Sequence, residues 1–342
     1  MSDVSEPIRI AVDAMGGDHA PLAVVQGSIM ALAQKNLEIS LAGQPEVLTP
    51  LLRDHAEIRV LPASEVVSMD EHPSMAVRRK RDSSMAVCAR ACRAGQAQAW
   101  ISAGNSGAVM ATALLVQGRL PAVDRPALGC VIPTTNGVVH LLDVGANSDC
   151  SPVQLVQFAT MGNIYAREIM GVEEPRVGLL ANGEEPFKGN RLIQLTHPLL
   201  ASSGLNFVGN IEAKELLGGS VDVAVCDGFT GNIVLKTGEA VLALLVAAIR
   251  GEARGSAAAM IGARLMLPRL RRALAAADWR ESGGVPLLGV DGVVMVAHGR
   301  SDGKAICSAI MAAAAAVRAN LPQRIGAALR ATLDPEPVAS SK

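Results

Sequence analysis

Aromatic residues are nearly missing from this 342-residue chain: four Phe, two Trp and one Tyr make up 2% of it. Reading single-stranded nucleic acid by stacking needs exposed aromatic platforms, so that function class is disfavoured. There is no excess of either charge. Lys plus Arg number 31 against 32 for Asp plus Glu, a formal charge of -1, which leaves no overall basic footprint for nucleic acid. Any polyanion has to be met by a local patch. The six cysteines, Cys88, Cys92, Cys130, Cys150, Cys226 and Cys307, form no CxxC pair and sit mostly in apolar segments, as reduced buried thiols do. Cys88 and Cys92 lie four apart on one helix face and would offer two metal ligands, but no matching His or Cys pair follows. The stretch Met1 to Pro7 is polar and acidic, with no signal or transit peptide, and predicts a cytosolic protein. The longest uninterrupted apolar runs, Val241 to Ile249 and Ile306 to Val317, fall short of the roughly 18 to 20 residues that span a bilayer. GxGxxG, GxxxxGK[ST] and HExxH are absent, as is the GxSxG elbow of a serine acyl-enzyme.

What is present is an alternation of periods. Half of the residues are hydrophobic, so the core is built from Ala, Val, Leu, Ile and Met. Ile8 to Val12, Leu37 to Ala42, Ile58 to Leu61, Ala99 to Ser102, Val138 to Asp143, Val177 to Leu180, Asn206 to Val208, Val221 to Cys226 and Val293 to Ala297 read as short strands. Helical stretches lie between most of them, among them Pro21 to Gln34, Ser106 to Val116, Pro152 to Met170, Gly231 to Arg250 and Ser301 to Ala319. The pattern predicts an α/β fold with a largely parallel sheet and helices on both faces, Rossmann-like in type. Residues 7–330 form one α/β unit, within which the Arg-rich segment 251–280 reads as projecting helices, and 331–342 as a disordered tail. In such folds ligands bind where strands end and helices begin.

Those junctions are rich in glycine. After the first strand come Asp13, Gly16 and Gly17, with Pro21 suited to the next helix's first turn. Gly104-Asn105-Ser106-Gly107 and Gly228-Phe229-Thr230-Gly231-Asn232 share a pattern of strand, Gly-x-Ser/Thr-Gly, then helix. Converging N–H groups, a hydroxyl and a helix amino terminus would cradle a phosphate or an oxyanion. Tight turns with Ser or Thr helix caps account for the same residues equally well.

Lysine is scarce, at seven of the 31 basic residues. Lys188 follows a strand within Asn182 to Asn190, and Lys236 follows the second glycine loop by about one turn. Each would bind an anion as a compact point charge, or stand as a solvated surface group. Arg78-Arg79-Lys80-Arg81, followed by Asp82, Ser83 and Ser84, would meet an acidic partner or a phosphate, or form an ordinary solvated face. Asp13 and Asp227 would orient phosphate donors or make turn and cap hydrogen bonds. His298, between a strand and Gly299, is the best titrating candidate.

The string Ile10-Ala11-Val12-Asp13-Ala14-Met15-Gly16-Gly17-Asp18 resembles the opening of the bacterial phosphate acyltransferase family. Lys80 to Met85, Ser102 to Gly107, Leu142 to Asn147, Gly183 to Glu185 with Lys188 to Asn190, Gly209 to Glu212, Cys226 to Lys236, Pro286 to Gly289 and Ala297 to Gly299 resemble family segments in the same order. The likeness runs from about Ile8 to Val317. The chain departs from the family with Ser106 for the usual Thr, Ala181-Asn182 for Asn-Ile, and Gly238-Glu239-Ala240 in the following helix.

The resemblance implies a sheet similar to the isocitrate/isopropylmalate dehydrogenase-like and phosphotransacetylase folds. It implies an enzyme that makes acyl phosphate from long-chain acyl carrier protein thioester and inorganic phosphate, feeding glycerol-3-phosphate acylation in phospholipid synthesis. Phosphate attacks the thioester carbonyl and a thiolate leaves, so neither cofactor nor metal is chemically required. Lys188, Asn232, His298 and Asn105 are the expected catalytic residues. Asp13, Gly16, Gly17, Ser83, Ser84, Gly104, Ser106, Gly107, Asp227, Gly228, Thr230, Gly231 and Lys236 are expected around substrate and phosphate. The acidic carrier protein would dock on Arg78 to Arg81 or on Arg264 to Arg272. The latter segment equally suits an anionic membrane near the downstream membrane acyltransferase, or a homodimer interface. The alternatives are a phosphate acetyltransferase acting on coenzyme A thioesters and a non-catalytic carrier- or membrane-binding scaffold.

Overall fold

The structure, a computed structural model, describes residues 6–34, 36–253, 256, 262, 264–266 and 284–333. Eleven strands form one sheet: β1 (Ile8–Asp13), β2 (Leu37–Gly43), β3 (Arg59–Pro62), β4 (Ala99–Ser102), β5 (Ala127–Thr134), β6 (Gly137–Leu142), β7 (Val177–Leu180), β8 (Phe207–Ile211), β9 (Val223–Val225), β10 (Val285–Leu288) and β11 (Val293–Val296). Their spatial order is β3-β2-β1-β4-β11-β10-β5-β6-β9-β7-β8. The helices are α1 (Leu22–Leu32), α2 (Pro45–Leu51), α3 (Pro73–Arg79), α4 (Ser84–Arg93), α5 (Ser106–Thr112), α6 (Pro152–Glu168), α7 (Arg191–Ala201), α8 (Ala213–Gly218), α9 (Gly228–Ala253), α10 (Gly303–Arg318) and α11 (Leu321–Leu333).

Successive strand residues face opposite sides, and both sides are covered. Ile10 and Val12 enter the core cluster beneath α1, α6 and α10, while Ala11 enters a second cluster with Met85 and Cys88 of α4. Each fully buried large apolar side chain contributes about 1.5–3 kcal/mol, and Trp100, Phe158 and Leu155 are among them. Small residues let helices approach. A Cβ at Gly27 of α1 would stand 2.6 Å from the Gly303 carbonyl oxygen at the start of α10. Trp100, at the centre of β4, donates its indole N–H to Gln117 (2.7 Å), whose amide donates to the Asp291 carbonyl (2.7 Å).

The sheet is mostly parallel, with a reversal in the middle. β10 pairs antiparallel with both β11 and β5, and β5 pairs antiparallel with β6. The set β3-β2-β1-β4-β11 therefore runs opposite to β6-β9-β7-β8. β5 and β10 fall outside the strands expected from sequence, and both contain residues of low strand propensity, Gly129 and Pro133 in β5 and Pro286 in β10. The predicted helix from Ser106 to Val116 is α5 followed by a wider π-helical turn, Ala113–Gln117, which swings Gln117 onto Trp100. Residue 331 opens no tail, since α11 continues to Leu333. Most of 251–280, including Leu267, Arg269, Leu270, Arg271 and Arg272, lies outside the described residues, as does 334–342.

Apolar length was also underestimated by counting uninterrupted runs. Gly228–Ile249 of α9 is long and apolar enough, by length and composition alone, to cross a membrane. Leu244 on this helix is 68% exposed and Leu245 54%.

Candidate active site

The first glycine junction forms where parallel β1 and β4 end side by side. Asp13, closing β1, accepts the Met15 N–H at 3.1 Å and the Ser102 hydroxyl at 2.6 Å. Ser102 Oγ in turn accepts the Gly104 N–H at 3.0 Å. Gly16 packs into this knot, where a Cβ would stand 2.5 Å from Asp13 Oδ2 and 2.8 Å from the Gly104 nitrogen. Burial pushes the Asp13 carboxyl above the ordinary aspartate value, and hydrogen bonds from Ser102, Ser84, Met15 and Gly16 hold it back. Asp13 and Ser84 thus wire the junction internally. Ser83 caps α4 through the Ala86 N–H.

The β11 loop joins here through the Asp18 N–H, which donates to the Gly299 carbonyl at 2.8 Å. His298 Nδ1 accepts the Arg300 N–H at 3.2 Å, which leaves the neutral ring's proton on Nε2. Its pKa is lowered, first by burial and then by the Lys236 cation. A neutral imidazole with a donor at Nε2 suits a carbonyl or a developing oxyanion.

Asn105 is placed differently from expectation. Its Oδ1 caps α5 by accepting the Ala108 N–H (3.0 Å), and its amide nitrogen donates to the Met69 (2.9 Å) and Glu71 (3.1 Å) carbonyls. Every polar atom of that side chain is engaged in holding the loop. Ser106 is exposed, and with Gly107 it offers first-turn N–H groups that have no acceptor within the helix.

The second junction centres on Asp143, within the Leu142–Asn147 segment and outside the expected site residues. Asp143, immediately after β6, is wholly buried. It accepts N–H groups of Leu128 (3.1 Å), Gly145 (3.1 Å), Ala146 (3.0 Å) and Asn147 (2.7 Å), and the Asn147 amide (2.9 Å). Its pKa is raised by burial. The β9 loop packs onto this hub: Gly228 N–H donates to the Asn147 carbonyl at 2.7 Å, and a Cβ at 228 would stand 2.8 Å from Asp143 Oδ2. Asp227 caps α9 by accepting the Thr230 N–H (2.9 Å) and hydroxyl (2.8 Å), so both side chains do cap work. Asn232, one turn in, is exposed beside Gly145 and has no side-chain hydrogen bond within the described residues.

A third loop, after β7, carries Lys188. Asn182 Oδ1 accepts the Gly189 N–H (2.9 Å), Lys188 N–H donates to the Glu185 carbonyl (2.9 Å), and Asn210 of β8 donates to that same carbonyl (2.9 Å). The Lys188 ammonium makes no ion pair among the described residues. Lys236 pairs with Glu239 at 2.9 Å, and both charges act on His298, which links α9 of the second junction to the β11 loop of the first. Nearby, Glu184, Glu212 and Glu215 converge, but Lys214 Nζ stands 3.1 to 3.4 Å from each, where a cation would sit.

Within the described residues the site therefore offers Lys188, Asn232 and Ser106, with the half-buried His298 ring beside Lys236. Asp13, Ser83, Ser84, Asn105, Asp227 and Thr230 hold the loops. Local sequence does not sort these groups, because Asn105 lies within one glycine loop and Asn232 directly after a similar one.

A family profile described as "Fatty acid synthesis protein" matches residues 8–324. The chain is 46% identical over 318 residues to a phosphate acyltransferase of Heliobacterium modesticaldum, covering 92% of this chain and 95% of that protein. It is 49% identical over 333 residues to one from Myxococcus xanthus, covering 94% of each. The fold is similar to a phosphotransacetylase from Staphylococcus aureus, with a TM-score of 0.59 at 15% identity over 90% of this chain and 94% of that one.

Proposed function

The chain belongs to the phosphate acyltransferase family and is a phosphate acyltransferase of fatty acid and lipid synthesis, and from that premise we propose that it converts long-chain acyl carrier protein thioester and inorganic phosphate into acyl phosphate and free carrier thiol. One phosphate oxygen attacks the thioester carbonyl, the C–S bond breaks, and the proton of monohydrogen phosphate ends on the departing sulfur. An anionic nucleophile meets a neutral electrophile, so the enzyme's tasks are to hold phosphate and to stabilise the oxyanion.

The observation that carries this reading is the division of labour among amides. Asn105 is consumed by loop contacts, whereas the Asn232 amide at the α9 start has no hydrogen-bond partner among the described residues. In the proposed site Lys188 holds phosphate, Asn232 donates to the oxyanion, and neutral His298 donates from Nε2 to the carbonyl oxygen or the leaving sulfur. Burial, and after it the Lys236 cation, favour the neutral ring. The reading includes a cytosolic homodimer that touches the membrane surface peripherally and hands acyl phosphate to a membrane acyltransferase. The exposed apolar side chains of α9 support a covered face of that kind.

The test is an assay of carrier thioester and phosphate with hydroxylamine trapping. Phosphate-dependent hydroxamate supports the reading, and preference for short coenzyme A thioesters favours a phosphate acetyltransferase instead. Lys188→Ala and Asn232→Ala should each lower kcat about 100- to 1,000-fold. Full turnover in both variants would remove these assignments.

A further inference from the structure

Segment 64–81 joins β3 to α4 and lies against the loop after β4. A Cβ at Gly107 would stand 2.6 Å from the Pro73 ring, and one at Gly299 would stand 2.9 Å from the Met69 methyl. The segment is thus a neighbour of both the Asn105 loop and the His298 loop.

Its acidic groups are turned inward to hold it together. Glu71 pairs with Lys80 and accepts the Ser68 N–H at 2.7 Å, and Lys80 also donates to the Val66 carbonyl at 2.7 Å. Asp82 accepts the Ser64 N–H (3.0 Å) and hydroxyl (2.7 Å) and pairs with Arg90 (3.1 Å). Glu65 accepts the Asp82 N–H at 2.9 Å. Lys80, the expected anion binder of the cluster, is therefore a strut.

The three arginines around it are not. Arg78, Arg79 and Arg81 are exposed, and their side chains make no ion pair or hydrogen bond among the described residues. Asp70 is the acidic side chain of the segment that stays outside the internal bonds, so the outward charge is positive. Two flexible apolar side chains lie beside it, Met69 at 48% and Met75 at 43% exposure. Unpaired guanidinium forks recognise carboxylates bidentately, and methionine adapts to apolar residues on a partner helix.

We propose that Arg78, Arg79 and Arg81, with Met69 and Met75, form the docking surface for the acidic carrier protein that presents the acyl thioester. This rests on the carrier-thioester reading above. A carrier seated here brings its prosthetic arm to the rim formed by the Asn105 and His298 loops. Over Gly228–Ile249, α9 offers this partner little charge: the one cation there, Lys236, is paired with Glu239, and Val241, Leu244, Leu245 and Ile249 follow. Docking through exposed charges acts mainly on encounter, so it appears in KM and in salt dependence.

The test is steady-state kinetics of the full chain carrying Arg78→Glu, Arg79→Glu and Arg81→Glu together. KM for carrier thioester should rise about 10-fold or more and lose its ionic-strength dependence, with kcat and KM for phosphate unchanged. The triple Arg→Gln variant should show a smaller rise of the same sign, and stands in if the reversed-charge variant fails to fold. Arg53→Glu is the control, because Arg53 lies between α2 and the start of β3, away from the strand carboxyl ends. An unchanged KM and salt dependence in the triple variants would overturn the docking surface, as would loss confined to binding of phosphatidylglycerol vesicles. Failure of the wild-type enzyme to turn over carrier thioester would instead overturn the substrate reading, and the docking surface with it.

Discussion

Gly231 lies against the main chain of Asp143: a Cβ at 231 would stand 2.9 Å from the Asp143 carbonyl carbon and closer still to its oxygen. This contact seats the start of α9 on the Asp143 hub. Gly231→Ala must therefore push the two loops apart, at about 2 kcal/mol or more of stability, because backbone on both sides has little room to yield. Gly238, on the same helix, has no heavy atom within 4 Å of a Cβ. Gly238→Ala should stabilise by about 0.5–1 kcal/mol through helix propensity alone. Thermal melts of the two variants should move in opposite directions, with turnover falling only in the first.

That contrast marks where the sequence stops being legible. Ala99 to Ser102 and Val177 to Leu180 are short apolar runs between polar residues, and both are strands with those bounds. β5 and β10 carry Gly129, Pro133 and Pro286, residues of low strand propensity, and are held in the sheet by the β5–β6 hairpin and by the pairing of β10 with β5 and β11. The reversal of strand direction across them is a property of those pairings and is written in no local pattern. The site shows the same limit. Its glycine loops are visible as motifs, yet Asn105 is engaged by carbonyls more than thirty residues away, and Asn232 is not. Which donor stays available depends on that long-range contact.

His140, inside β6, is wholly buried and stacked on Tyr165 with ring centroids 4.1 Å apart, and neither ring nitrogen has a well-formed hydrogen bond. Burial pushes its pKa from 6.5 down to about 3, partly opposed by the Gly129 and Gly162 backbone. Between those two values the unfolded chain binds a proton that the native protein refuses. Stability therefore falls as pH falls through this window, by about 1.4 kcal/mol per pH unit at most from this group. His140→Leu, similar in volume and without the nitrogens, should flatten the difference between urea midpoints at pH 7 and pH 5. An unchanged difference would show that other groups carry the acid sensitivity.

Asn210, 5% exposed in β8, donates to the Glu185 carbonyl that also receives the Lys188 N–H, while its own buried Oδ1 has no partner among the described residues. It positions the turn that carries Lys188. Asn210→Leu should lower kcat/KM for phosphate by about 10-fold, since small misplacements of a binding group are costly. In a Lys188→Ala background the same substitution should have almost no further effect, as coupled residues in one network are non-additive. Equal losses in both backgrounds would assign Asn210 to the fold rather than to Lys188.

His298 links the two junctions electrically, and the signs of its neighbours make the last prediction directional. Burial lowers its pKa most, the Lys236 and Arg300 cations lower it further, and Glu239 and Asp18 raise it. In the proposed reaction the working form is neutral, with Nδ1 accepting from Arg300 N–H and the proton on Nε2. Protonation of Nδ1 removes the acceptor of the Arg300 N–H, so on the proposed mechanism activity should be lost on the acid side, below the ordinary histidine value of 6.5. Lys236→Met removes a cation and leaves Glu239 unpaired, and both changes raise the His298 pKa. The acid limb of the kcat/KM profile should therefore move to higher pH. Glu239→Gln should move it to lower pH. If instead Lys236→Met lowered kcat uniformly at every pH, Lys236 would act on the substrate directly, and the tuning of His298 would be refuted.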